Sequence, residues 1–83
     1  MRLDKFLKVS RVIKRRTVAA DAAQAGRITI NGKPAKPASQ VSEGDVLEIA
    51  FGNHTARYEV LLVTETANKA QAADMVRELP QEG

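Results

Sequence analysis

The sequence predicts an α+β domain: two N-terminal helices packed on a small twisted antiparallel sheet, with a helix at the C-terminal end. Three observations lead there. Leu3, Phe6, Leu7 and Ser10 recur at helical spacing. An alanine-rich stretch then closes on Gly26. Beyond it, short alternating segments rich in β-branched residues are separated by Asn-Gly and Glu-Gly-Asp turns. The 83 residues suit one small domain with little core to spare. Residues 1–65 are expected to form its body, and 66–83 a helical tail of the same domain.

The first helix is expected over residues 3–9. Its apolar side faces inward, while Arg2, Asp4, Lys5, Lys8 and Arg11 lie mostly on the other side. Asp4 and Lys8 stand four apart with the acid first, the favourable order for a helix pair. Arg11-Val12-Ile13-Lys14-Arg15-Arg16 breaks the period and reads as a connector with Val12 and Ile13 turned inward. Thr17 is the expected N-cap of the second helix. Val18 to Ala25 follows, dominated by the best helix former, and Gly26 supplies the left-handed stop.

Arg27-Ile28-Thr29-Ile30 alternates as a strand, and Asn31-Gly32 is the strongest short hairpin signal. Lys33 to Pro37 is edge-like, because proline cannot donate to a ladder. Val46–Phe51 and Arg57–Val63 read as further strands, with Gly52-Asn53-His54-Thr55 as a loop. Asn68 is the expected cap of a last helix through about Leu79, whose Ala72, Met75, Val76 and Leu79 keep helical spacing. Phe6 and Phe51 fall at apolar-phase positions and are expected in the core.

The charge is lopsided. Residues 1–36 carry ten basic and two acidic side chains, and residues 37–83 carry three basic and eight acidic ones. The total of +3 hides that asymmetry. A basic half that also folds is the electrostatic footprint of a polyanion binder. The basic residues sit on several elements, which favours a shaped surface over a flexible arm. With only Phe6, Phe51 and Tyr58 as aromatic residues, single-strand stacking platforms are scarce. Structured RNA, held through phosphates and shape, is the expected ligand. Arg15, Arg16 and Thr17 mark the start of the second helix, where free N–H groups and the helix dipole favour a phosphate.

Enzyme constellations are missing from the sequence. It has no Gly-rich phosphate loop followed by Lys-Ser or Lys-Thr, no nucleophile elbow and no metal-ligand cluster. Cysteine is absent, and His54 is the only histidine. No catalytic activity, metal or cofactor is therefore expected. The longest apolar run, Val60-Leu61-Leu62-Val63, is too short to span a bilayer. A cytoplasmic monomer with no membrane attachment is expected. A membrane-surface role for the first helix is the weaker alternative, since no tryptophan is available as an interfacial anchor. Another alternative is a detached RNA-recognition module that recruits a separate enzyme.

Arg2-Leu3-Asp4-Lys5-Phe6-Leu7, Arg11 to Thr17, Ala25 to Lys33, and Val41 with Gly44-Asp45 together resemble the S4 RNA-binding domain, the alpha-L fold. The resemblance covers roughly residues 1 to 51. The opening residues through Arg11 look most like the stand-alone RqcP (YabO) family of ribosome quality-control factors. That resemblance implies binding to obstructed large ribosomal subunits through 23S rRNA and peptidyl-tRNA. It also implies support for alanine tailing of the stalled chain by an RqcH-type tailing factor. By the same resemblance Arg2, Asp4 and Arg16 are central to subunit binding, with Lys5, Lys8, Arg11, Lys14, Arg15 and Arg27 around them. Asp4 then either pairs with Lys8 on the helix surface or holds a neighbouring arginine in a fixed pose. The family of fifteen-kilodalton heat-shock proteins resembles the chain in the same domain. Its members are typically longer, with a basic C-terminal extension in place of the acidic segment here.

Overall fold

Helix α1 runs from Leu3 to Val9 in the computed structural model, which describes residues 1–80. Leu3, Phe6 and Leu7 are fully buried, as the helical spacing requires. Ser10 caps the end, and its hydroxyl donates to the Leu7 carbonyl at 3.3 Å. The chain then reverses through Arg11, which is left-handed at φ 63°. The Arg11 N–H donates to the Lys8 carbonyl at 3.1 Å and the Ile13 N–H to the Leu7 carbonyl at 3.2 Å. This turn buries Ile13 and half-buries Val12.

Helix α2 spans Arg16–Gln24, so it starts two residues before the expected first helical residue, Val18. Thr17 lies inside the helix and not at its N-cap. Arg15 takes the cap position and makes no side-chain hydrogen bond to the helix end. An arginine has no acceptor to offer, so the first N–H groups of α2 receive no side-chain cap. Ala19 and Ala23 are the buried residues of α2. Their small side chains let the two helices approach closely. Gly26, at φ 79°, turns the chain into the sheet.

Five strands form one antiparallel sheet: β1 Ile28–Ile30, β2 Lys33–Pro34, β3 Val46–Phe51, β4 His54–Val60 and β5 Val76–Leu79. Their spatial order is β2-β1-β3-β4-β5. Asn31 and Gly32 both adopt positive φ, at 52° and 83°, as a two-residue hairpin between twisted strands demands. Asn31 also ties this hairpin to β3. Its amide donates to Asp45 Oδ1 at 3.0 Å and its Oδ1 accepts from the Val46 N–H at 2.9 Å.

Strand register sorts the sheet into two faces. Ile28 lies opposite Ile49, Ile30 opposite Leu47, and Val60 opposite Val76. Ile28, Leu47, Ile49 and Val60 join the α1 and α2 residues in one core, to which Met75 also belongs. Across the other face Glu48 stands opposite Arg57 and Glu59 opposite Arg77.

The last element departs most from expectation. Asn68 caps a helix as expected, in a reciprocal capping box with Gln71, but that helix, α3, covers only Lys69–Ala73. Val76–Leu79 is strand β5 and not helix. The apolar spacing of Ala72, Met75, Val76 and Leu79 fits both readings. The free edge of β4, with its unpaired N–H and C=O groups, decides for the strand. The expected helical tail is thus a short helix feeding a fifth strand, and its residues 81–83 lie outside the described residues. Strand β4 is also shifted from the expected 57–63. The two-residue turn at Gly52-Asn53 places Phe51 opposite His54, so pairing starts at His54. Leu61 and Leu62 then leave the strand and are exposed. Phe51, expected in the core, is half-buried at its edge.

Candidate nucleic-acid interface

The N-terminal residues are pinned before α1 begins. The Leu3 N–H donates to the Ser39 carbonyl and the Val41 N–H to the Met1 carbonyl, each at 2.8 Å. Arg2 thereby sits in an isolated β-bridge with Gln40 and leads directly into the helix. Its side chain folds forward onto Asp4. Arg2 Nε donates to Oδ1 at 3.2 Å and Nη2 to Oδ2 at 3.1 Å, a bidentate fork. Arg16, the first residue of α2, brings its Nη2 to 3.4 Å from the same carboxylate. The Lys5 N–H adds a bond to Oδ1 at 2.7 Å.

Asp4 is buried, only 4% exposed, while the side chains of Arg2 and Arg16 remain 50% and 45% exposed. One sunken acid therefore fixes two arginines that still face solvent. Burial by itself would raise the Asp4 carboxyl. The hydrogen bonds from Arg2 and Lys5, with the charges of Arg16 and Arg2, outweigh it and hold the group below its ordinary value of 3.8. Of the two roles open to Asp4, the structure takes the second. The carboxylate meets Arg2 and Arg16, and the expected surface pair with Lys8 is replaced by this buried cluster.

Beside the cluster runs an open groove of about 850 Å³, lined by Lys5, Lys8, Arg11, Lys14 and Arg16. The left-handed turn at Arg11 makes this possible, because it folds the connector back along α1. A sixth charged lining residue, Glu65, comes from the segment after β4 and pairs with Lys5. Its hydrogen bond and charge contact with Lys5 lower the Glu65 carboxyl. Nothing in the sequence signals this contact, because the partners are 60 positions apart.

The nine expected site residues thus divide. Lys5, Lys8, Arg11, Lys14 and Arg16 share the groove, and Arg2 joins them through Asp4. Arg15 is exposed at the uncapped start of α2. Arg27 lies apart, beyond the other end of α2, at the rim of a second and largely apolar recess. Among the described residues no group of three or more His, Asp or Glu is placed to hold a metal. No helix among the described residues is long and apolar enough to cross a membrane.

Comparison with known proteins gives the family and the fold. Residues 1–47 match the S4 domain family. The chain is 50% identical to the RQC P-site tRNA stabilizing factor of Listeria innocua, over 99% of this chain and 89% of that one. It is also 50% identical to the factor of the same name from Bacillus subtilis, over 99% and 95% of the respective chains. The trimeric structure of Vibrio cholerae heat shock protein 15 superimposes with a TM-score of 0.86 at 26% identity, covering 95% of this chain and 81% of the other.

Proposed function

The chain belongs to the S4-domain family of RQC P-site tRNA stabilizing factors, and from that premise we propose that it acts on stalled large ribosomal subunits as a non-catalytic RNA-binding factor. It binds 23S rRNA and peptidyl-tRNA, keeps the tRNA in place, and so supports alanine tailing by an RqcH-type partner in the cytoplasm. The observation that carries this reading is the pair of half-exposed arginines locked on buried Asp4 at the head of a cationic groove.

Each side chain has a physical task in it. Arg2 and Arg16 present guanidinium forks in a fixed pose, which suits bidentate capture of a phosphate at low entropic cost. The N–H groups at the start of α2 add to the same phosphate site, with Arg15 beside them. Lys5, Lys8, Arg11 and Lys14 neutralise the phosphates that follow along the groove. Arg27 reaches the backbone on the far side of α2. Neutralising about six phosphates predicts that log affinity falls with log salt with a slope on the order of −4 to −5.

Sedimentation of the tagged protein on a sucrose gradient tests the reading. The parent should travel with free large subunits at low salt. Arg16→Ala should shift most of the protein to the top of the gradient while its melting temperature stays nearly the same, because Arg16 is a half-exposed charge. Arg16→Lys should restore binding only in part, since it keeps the charge and loses the fork. If Arg16→Ala still co-sediments like the parent, Arg16 is not part of the interface.

A further inference from the structure

We propose that the recess between α2 and the end of β3 takes a single unpaired nucleobase from the RNA bound on the basic face. This rests on the RNA-binding reading above and adds a base-reading site to it.

The recess holds about 320 Å³. Its walls include Val12 and Ile13 from the connector, Val18 and Ala22 from α2, and Phe51 from β3, with Arg27 at the rim. Val18 is 50% exposed, and Ala22, one turn on, is half-buried. Phe51 is half-buried, and the His54 ring packs beside it with centroids 5.8 Å apart. The β3–β4 turn therefore holds the phenyl ring in place at the edge of the recess.

Size, chemistry and position each favour a base over another occupant. The volume lies at the small end of ligand pockets, about 300–1,000 Å³, which suits one planar group and is short for a docked peptide helix. An aromatic ring and a guanidinium are the two surfaces on which proteins stack splayed RNA bases. Among the described residues Arg27 is the only charged one lining the recess, so its charge favours a polyanion at the mouth. Position completes the case. Val12 and Ile13 line this recess, while their neighbours Arg11 and Lys14 line the cationic groove. Both sites draw on the same connector, so RNA lying on Arg11 and Lys14 is brought close to the mouth of the recess.

Two RNA hairpins serve as probes, one with a single bulged 2-aminopurine and one with an abasic residue at the bulge. The parent should bind the first about tenfold more tightly, the order of one base stack, with equal salt slopes for both. The 2-aminopurine fluorescence should change on binding. Ala22→Leu fills the recess with a good helix former and should bring the bulged hairpin down to the abasic affinity. Phe51→Leu keeps the apolar contact, removes the stacking face, and should lose most of the same difference. Equal parent affinities for the two hairpins overturn the proposal; if both still show the steep salt slope, the RNA-binding reading survives. Failure of both hairpins to bind at low salt overturns the two together. If Ala22→Leu keeps the tenfold discrimination and instead alters self-association in the ultracentrifuge, the recess docks protein and the proposal is wrong.

Discussion

Arginine meets carboxylate in two regions of this protein, and the two do opposite things. At the head of the basic groove, two arginines converge on one acid, Asp4, which is itself buried. On the open face of the sheet, arginines meet acids across neighbouring strands: Arg57 lies 3.9 Å from Glu48, and Arg77 pairs with Glu59. The first arrangement leaves a net positive charge facing solvent with its geometry fixed. The second spends each positive charge on a partner and leaves a face that is near neutral. Under the proposed function, burial of the shared acid, more than the number of arginines, separates the face offered to RNA from the face kept off it. The ladder on the sheet also blunts the acidic half, which would otherwise repel the same ligand.

Removing the shared acid should have the largest effect. Asp4→Asn keeps the shape of the side chain and loses the charge that holds both arginines. Unlocking them leaves buried polar atoms poorly paired, at a cost of about 1–3 kcal/mol. Subunit binding should fall at least as far as in Arg16→Ala, because Arg2 and Arg16 are released together. The double variant Asp4→Asn, Arg16→Ala should be scarcely worse than the single ones, since all three residues act as a unit. Additive losses would show that Asp4 and Arg16 work independently. The pH dependence carries the same signature. The folded carboxyl sits below its ordinary 3.8, so its stabilising contribution is full above that value and is lost as the pH falls through the depressed one. Urea melts between about pH 2.5 and 6 should show this acid-side loss in the parent and less of it in Asp4→Asn.

Arg11 offers the next effect, and it divides stability from binding. A non-glycine residue in the left-handed region costs about 1–2 kcal/mol, and Arg11 carries that strain at φ 63° while lining the groove. Arg11→Gly relieves the strain, although glycine's greater freedom in the unfolded chain returns part of the gain. The variant should melt at the same temperature or slightly higher and yet bind subunits several-fold more weakly. A destabilised Arg11→Gly protein would mean that the long side chain itself holds the turn.

Glu65 predicts a smaller change of opposite sign. It stands where a phosphate would meet Lys5. Glu65→Gln should free that lysine, tighten binding by a few-fold at low salt, and steepen the salt slope by about one phosphate, roughly −0.7 to −0.9. Unchanged affinity and slope would show that Lys5 does not reach the RNA.

How far the sequence reaches depends on the range of the interaction that decides each feature. Helix α1 and strand β3 were legible residue by residue, because the spacing of Leu3, Phe6 and Leu7 and the alternation of Val46–Phe51 are local signals. The Asn31-Gly32 hairpin was legible for the same reason. The end of the chain was not: Val76–Leu79 is apolar at a helical interval, and only the distant edge of β4 makes it a strand. The site splits along the same line. Its charges were visible as a cluster, and the groove brings five of them together. The burial of Asp4, the reversal at Arg11 and the arrival of Glu65 depend on how α1, α2 and the segment after β4 meet. No local pattern encodes those meetings. The separation of Arg27 has the same origin, because Arg16 starts α2 in the groove and Arg27 lies past the other end of that helix.

The smallest expected effect belongs to Arg77, and it tests the comparison from the other side. Arg77 is 64% exposed on β5, paired with Glu59 on the open sheet face. A single exposed pair contributes about 0–1 kcal/mol to stability, so Arg77→Ala should shift the melting temperature by no more than a few degrees. Its charge is already matched on a face remote from the Asp4 cluster, so subunit binding and the salt slope should both stay at the parent's values. The variant therefore changes net charge by the same amount as Arg16→Ala while touching only the neutral ladder. If Arg77→Ala weakens binding as much as Arg16→Ala does, overall charge sets the affinity. The fixed arginine pair on Asp4 would then have no special place in binding.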